Sequence, residues 1–229
     1  MNFSELGLSP ALQRTVASMG LATPTPIQTQ AIPAVLQGRD VWACAPTGSG
    51  KTLAYALPLV QLVGQTSRQT NFRRPIRGLV LVPTRELALQ VGQVLRQVAD
   101  SLGLKAVVAH GGVSINPQMM ALRGGADVVV ATTGRLLDLV AHNALRLSDV
   151  QHLVLDEADR LLELGFADEL QAVLALLPAP RQTLLFSATF ADDLSVWAHQ
   201  GLRDPLRMRS DAIEVLDAPD IAQSAIAVD

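Results

Sequence analysis

The sequence predicts an α/β fold: a mostly parallel central sheet flanked by helices on both faces. From residue 40 onward, short β-rich runs alternate with longer helical ones, the pattern of parallel strands joined by crossover helices. Most of the strand candidates are mainly apolar, as strands buried on both faces are. One of them, Val41-Trp42-Ala43-Cys44, feeds a glycine-rich loop, Ala45-Pro46-Thr47-Gly48-Ser49-Gly50-Lys51-Thr52, and a helix-like run follows at once. Strand, phosphate-cradling loop and helix in that order make a P-loop unit.

Taken in order, residues 1–39 read as a helical segment. Ser9-Pro10 opens one helix and Gly20 ends it, then Thr25-Pro26 opens another. Strands are expected over 41–45, 78–82, 106–109, 127–131, 151–155, 183–187 and 206–209. Helices are expected over 53–63, 85–101, 116–122, 135–142, 167–177 and 192–199. The polar stretch 64–75 and the basic cluster from Arg68 to Arg77 read as a solvated loop. Residues 40–210 thus form a nucleotide-binding α/β domain, and 211–229, which has no clear period, reads as a linker or a stub toward a further domain.

Composition narrows the function classes. The chain has 229 residues, 49% of them hydrophobic, enough to bury a sizeable core. No apolar run approaches the roughly 20 residues that cross a bilayer, and the start lacks the basic residues of a signal peptide, so a cytoplasmic protein without membrane partners is expected. Cys44 is the only cysteine, which excludes an internal disulfide and a cysteine-rich metal site. Net charge is −3, so any contact with nucleic acid must be local.

The chemistry of the loop follows from its residues. Gly48 and Gly50 let backbone N–H groups turn inward around phosphate oxygens, and the helix behind them points its positive end at the same anion. Lys51 adds a mobile charge, and Thr52 offers a hydroxyl to a magnesium ion. A glycine-rich turn that merely caps a helix is the bland alternative. Against it stands the lysine itself, one of only two beside sixteen arginines. A second half-site weighs more. The buried-strand run His152 to Leu155 ends in Asp156-Glu157-Ala158-Asp159, at the carboxyl edge where parallel sheets bind ligands. Asp156 can hold the magnesium that Thr52 reaches, and Glu157 can polarise an attacking water.

These residues, with Ser187-Ala188-Thr189, resemble the motif set of DEAD-box ATP-dependent RNA helicases in order and spacing. The resemblance extends to Phe3, Gly20, Pro24-Thr25-Pro26-Ile27-Gln28, Pro83-Thr84-Arg85-Glu86-Leu87, Gly111-Gly112 and Thr132-Thr133-Gly134-Arg135, and it covers about residues 2–210. Within the family, Gly111 to Gln118 is most similar to the bacterial RhlE-type subgroup.

What the resemblance implies is the first of two RecA-like domains, which close together on ATP and single-stranded RNA. ATP and Mg2+ are the implied cofactors; RNA and a second RecA-like domain of the same full-length protein are the implied partners. Nucleotide contacts fall to Phe3, Thr23, Gln28, Pro46, Thr47, Gly48, Ser49, Gly50, Lys51, Thr52, Asp156 and Glu157, with Thr52 and Asp156 on the metal. Gln28 reads the edge of adenine. The implied catalytic set is Lys51, Asp156, Glu157, Ser187 and Thr189, with the hydroxyls of Ser187 and Thr189 placed to bond Asp159 and link ATP state to strand separation. RNA backbone contacts fall to Pro83, Thr84, Arg85, Gly111, Gly112, Thr132, Gly134 and Arg135; Arg85 and Arg135 have a structural alternative, pairing with Glu86 or Asp138. The sequence departs from the pattern at three places. Leu21 stands where an aromatic residue stacks on adenine, so Phe3 either compensates or anchors the N-terminal helix. Pro46 replaces a polar loop residue, and Thr133 replaces a proline, from which a looser turn is expected. No counterpart of the second domain's arginine finger occurs, so weak hydrolysis by this chain alone is expected. Two readings compete with a helicase: an ATP-controlled RNA clamp, which uses the same residues, and a DNA translocase, against which Gln28 and the acidic tetrad count.

Overall fold

In the computed structural model the described residues are 2–65, 74–189, 194, 198 and 201–209. After a 3-10 turn at Phe3–Leu6 come helices α1 (Pro10–Ser18) and α2 (Pro26–Leu36), then strand β1 (Val41–Cys44) and helix α3 (Lys51–Gln65). The alternation continues through β2 (Gly78–Leu81), α4 (Arg85–Asp100), β3 (Ala106–Ala109), α5 (Asn116–Ala121), β4 (Val128–Ala131) and α6 (Thr133–Ala141). It ends with β5 (His152–Leu155), α7 (Ala158–Glu163), α8 (Ala167–Ala175), β6 (Gln182–Ser187) and β7 (Leu206–Arg209).

The strands form one seven-stranded sheet in the order β3-β4-β2-β5-β6-β1-β7, and every pairing is parallel. Because successive side chains point to opposite faces, each strand but the edge strand β7 feeds two cores. Val80 and Val82 enter a core with α2, α3 and α4, whereas Leu79 and Leu81 enter a second one with α6 and α8. The N-terminal helices are part of the first core: Leu6, Leu12, Ile27 and Ile32 pack there with Val41 and Ala43. Ser9 caps α1, its hydroxyl oxygen facing the Leu12 N–H, and Pro follows at the first helical position as expected.

Differences from the expected elements have local causes. Helix α3 starts at Lys51 rather than 53, because the Gly50 carbonyl already accepts from the Ala54 N–H at 3.2 Å. Helix α6 starts at Thr133 rather than 135, since Thr132 caps it and its carbonyl accepts from the Leu136 N–H at 3.0 Å. Thr133 is 2% exposed in that first turn. Helix α7 was not separable from the acidic tetrad, because six residues give too little periodicity to read. The helix expected over 192–199 and the linker over 211–229 lie outside the described residues, except for Leu194 and Ala198.

Part of the basic cluster is structural. Arg74 and Arg77 place guanidinium nitrogens 2.6 and 2.8 Å from the buried Asp127 carboxylate, which also accepts from the Lys105 N–H at 2.8 Å. Gly125 makes this joint possible: at φ 83° it pairs with Arg74, and a Cβ there would fall 1.9 Å from the Arg74 carbonyl oxygen. Arg68 and Arg73 lie outside the described residues. No described helix is long and apolar enough to cross a membrane.

Candidate functional site

The strand order puts β5, β6 and β1 side by side. Since all run parallel, their carboxyl ends gather the loop after β1, the tetrad after β5 and the tripeptide after β6 on one edge. Cys44 pairs with Ser187, and Leu155 with Leu185, so the three loops leave the sheet within one or two residues of each other.

In the P-loop, Pro46, Thr47 and Gly48 are exposed, and Gly48 and Gly50 hold φ of 83° and 92°, the left-handed values that glycine tolerates. Lys51 is 8% exposed, and its Nζ donates to the Ala45 carbonyl at 2.5 Å, closing the loop on itself. The Ser49 hydroxyl is buried with no hydrogen-bond partner. Gln28 arrives from α2 and is 3% exposed. Its Oε1 accepts from the Thr25 N–H at 3.0 Å, and its Nε2 donates to the Gly50 carbonyl at 3.1 Å. The amide therefore ties α2 to the P-loop, a use the sequence reading did not foresee; each of its polar atoms keeps one bonding site for a ligand. Phe3 is 6% exposed within the first core, which leaves little ring for stacking and fits the anchoring alternative. Leu21 and Thr23 are exposed beside α2.

Asp156 is 3% exposed. Its Oδ2 accepts from the Tyr55 hydroxyl at 2.7 Å and its Oδ1 from the Glu157 N–H at 3.0 Å. Burial pushes its pKa up to about 6, against the pull of the Tyr55 hydrogen bond and of the Lys51 charge. A carboxylate so poorly solvated gains most from a cation. Thr52 stands in the first turn of α3, three residues before the Tyr55 that bonds Asp156, so the expected metal pair comes from α3 and from the end of β5. Among the described residues no three His, Cys, Asp or Glu side chains group as a metal cage. One carboxylate and one hydroxyl fit magnesium, which keeps waters and shares the phosphates of its nucleotide.

Glu157 sits in the left-handed region, φ 50° and ψ 50°, unusual for a non-glycine residue and typical of functional sites. Its carboxylate lies 3.5 Å from Arg160. Asp159 is 8% exposed, and its Oδ2 accepts from the N–H groups of Ala188 and Thr189 at 3.0 Å each and from the Thr189 hydroxyl at 3.1 Å. Ser187 does not join it: its hydroxyl donates to the Thr189 carbonyl at 2.7 Å. The expected pair of hydroxyls on Asp159 is thus one hydroxyl and two backbone amides, since Ser187 still belongs to β6 and Thr189 lies past its end.

A second feature on the same edge is an open groove of about 430 Å³, lined by Pro83, Arg85, Gly111, Gly112, Thr132, Thr133, Gly134, Arg135, Asp138 and Phe166. It gathers all the expected backbone-contacting residues but Thr84, whose hydroxyl caps α4 by accepting from the Leu87 N–H at 3.2 Å. Arg85 is exposed, whereas Arg135 is 9% exposed. Arg135 Nη2 donates to the Val113 carbonyl at 2.8 Å, but Nε and Nη1 have no hydrogen-bond partner, and Nε is 3.6 Å from Asp138. The pairing with Asp138 expected of a structural Arg135 is therefore present, at the long end of an ion pair. Tyr55 and Phe166 were missed by the sequence reading. Tyr55 alone carried a signal, its place four residues after Lys51 on one helix face.

A parallel sheet with a P-loop after its first strand and paired acids after another defines a nucleotide-binding half-site on a RecA-like fold. The chain belongs to the DEAD/DEAH box helicase family, whose sequence model matches residues 25–195. It is 45% identical over 210 residues to the ATP-dependent RNA helicase dbp10 of Schizosaccharomyces pombe, covering 92% of this chain and 24% of that protein. It is 44% identical over 212 residues to the probable ATP-dependent RNA helicase ddx27 of Dictyostelium discoideum, covering 92% and 27%. To the DEAD-box ATP-dependent RNA helicase CshA of Bacillus cereus it is 41% identical over 221 residues, covering 96% and 41%. The chain thus spans less than half the length of each of these relatives.

Proposed function

We propose that this chain is the ATP- and magnesium-binding first domain of an ATP-dependent RNA helicase, gripping single-stranded RNA by its backbone and working with a second RecA-like domain. One observation carries the RNA reading: a nearly buried arginine, Arg135, lines an open groove with Nε and Nη1 making no hydrogen bond, Nε having only the looser ion pair to Asp138 at 3.6 Å. A buried donor left unsatisfied costs about 1–3 kcal/mol, and a phosphate oxygen is the acceptor that such a fork suits. Around it, the Arg85 charge and the N-terminus of α6 favour the same anion. Nothing in this set reads a base, so recognition is sequence-tolerant. The RhlE-type subgroup rests on residues 111–118 alone, and the relatives above carry other names.

On the nucleotide side, phosphate oxygens replace the Ala45 carbonyl as the partner of Lys51, and the glycine-turned amides of the loop close around them. Magnesium bound with ATP would supply positive charge to the nucleotide phosphates. Asp156 and Thr52 orient that complex. Glu157 accepts the proton of the attacking water, and Asp159 ties the tetrad to the loop after β6, so that a shift on one side is felt on the other.

Arg135→Ala in the full-length protein tests the RNA reading. Affinity for single-stranded RNA is expected to fall, and the slope of log affinity against log salt to shrink by about 0.7, the loss of one phosphate contact. Anisotropy titrations across salt concentrations measure both. Unchanged affinity and slope would assign Arg135 to the fold alone.

A further inference from the structure

We infer that Tyr55 is a positioning residue for the metal half-site: its hydroxyl fixes the Asp156 carboxylate in the orientation that receives magnesium with the nucleotide. The inference rests on the ATP and magnesium reading above and adds a residue to it. Tyr55 is fully buried on α3, four residues after Lys51 and three after Thr52. Its hydroxyl donates to Asp156 Oδ2 at 2.7 Å across 101 residues of sequence. The ring packs on Phe186, centroids 5.2 Å apart, and Phe186 directly precedes Ser187. One side chain therefore joins the P-loop helix, the metal carboxylate and the strand that leads to the Thr189 loop.

The chemistry favours a positioning role over mere packing. A carboxylate can turn about its terminal bond, which has broad minima, and Asp156 has donors on both oxygens: the Glu157 amide on Oδ1 and the phenol on Oδ2. Two donors on opposite oxygens fix the plane of the group. Each oxygen still keeps a lone pair, so neither bond consumes the capacity to bind a cation. A phenylalanine would fill the same space against Phe186, yet would leave Oδ2 buried without a donor.

Tyr55→Phe separates the two roles. Binding of a fluorescent ATP analogue to the chain is measured at a series of Mg2+ concentrations and in EDTA, beside Asp156→Asn and the unaltered protein. Tyr55→Phe is expected to bind about tenfold more weakly with Mg2+, the loss of one charge-assisted hydrogen bond, to need more Mg2+ for half-maximal effect, and to match the unaltered protein in EDTA. Equal binding with Mg2+, or an equal loss with and without it, would overturn the inference. If Asp156→Asn loses its Mg2+ dependence while Tyr55→Phe responds to Mg2+ as the unaltered protein does, at the same concentration and to the same extent, only the role of Tyr55 falls. If Asp156→Asn also keeps it, the metal reading falls as well.

Discussion

Glu157→Gln in the full-length protein is expected to lower ATP turnover by about 10²- to 10⁴-fold, the usual contribution of a positioned general base, while ATP affinity stays close to that of the unaltered protein. The affinity half follows from the geometry. What Glu157 gives to the nucleotide site is its backbone N–H, on Asp156 Oδ1 at 3.0 Å, and that bond survives the substitution. The side chain itself meets only Arg160, at 3.5 Å, and Arg160 is 57% exposed, so the pair holds little energy. Glutamine keeps the shape and the left-handed backbone, but its amide cannot take a proton from water. Single-turnover hydrolysis and retention of bound ATP after filtration measure the two halves. Unchanged turnover would remove Glu157 from the chemistry.

The second large effect concerns the fold. Asp127→Ala is expected to cost about 3–5 kcal/mol of stability, the usual penalty for breaking a buried ion pair from one side. Asp127 is 1% exposed and Arg77 4%, and the substitution removes from that guanidinium the carboxylate 2.8 Å away. Arg74 adds less, being 41% exposed at its side chain. The same joint gives a pH dependence. Burial pushes the Asp127 carboxyl up, but the Lys105 N–H and the Arg74 and Arg77 guanidinium groups outweigh it and leave the pKa below its ordinary value. A carboxyl lowered on folding stabilises above its unfolded pKa, about 4, and loses that stabilisation as pH falls through the folded value. Denaturant melts should therefore show the gap between Asp127→Asn and the unaltered protein shrinking below about pH 4. A gap that is constant with pH would mean the carboxylate carries no such load.

Most of the fold was legible because strands buried on both faces leave apolar runs, and all seven strands, the edge strand Leu206–Arg209 included, were read within one residue of their ends. The boundaries that moved did so where a loop and a helix share residues. Lys51 and Thr52 read as loop chemistry but form the first turn of α3, and Thr133 does the same for α6. In the site, residues whose role depends on type and spacing were visible: the P-loop, the acid pair and the arginine of the groove. Contacts that depend on tertiary approach were not. Nothing in the sequence says that Gln28 bonds Gly50, that Ser187 turns to the Thr189 carbonyl, or that Phe166 from the α7–α8 turn reaches the groove. Phe3 shows the limit most simply, since an aromatic that stacks and one that anchors read alike until burial is known.

Hydrolysis tests most directly whether this chain holds half of a catalytic site. ATP turnover by the chain is measured with and without single-stranded RNA, then again with the second RecA-like domain of the full-length protein added as a separate polypeptide. RNA-stimulated turnover is expected only after that addition, with a rise of about 10³- to 10⁵-fold if an arginine finger is what the partner brings. Strong turnover by the chain alone would show that the residues on its own edge complete the site, and the half-site account would be wrong.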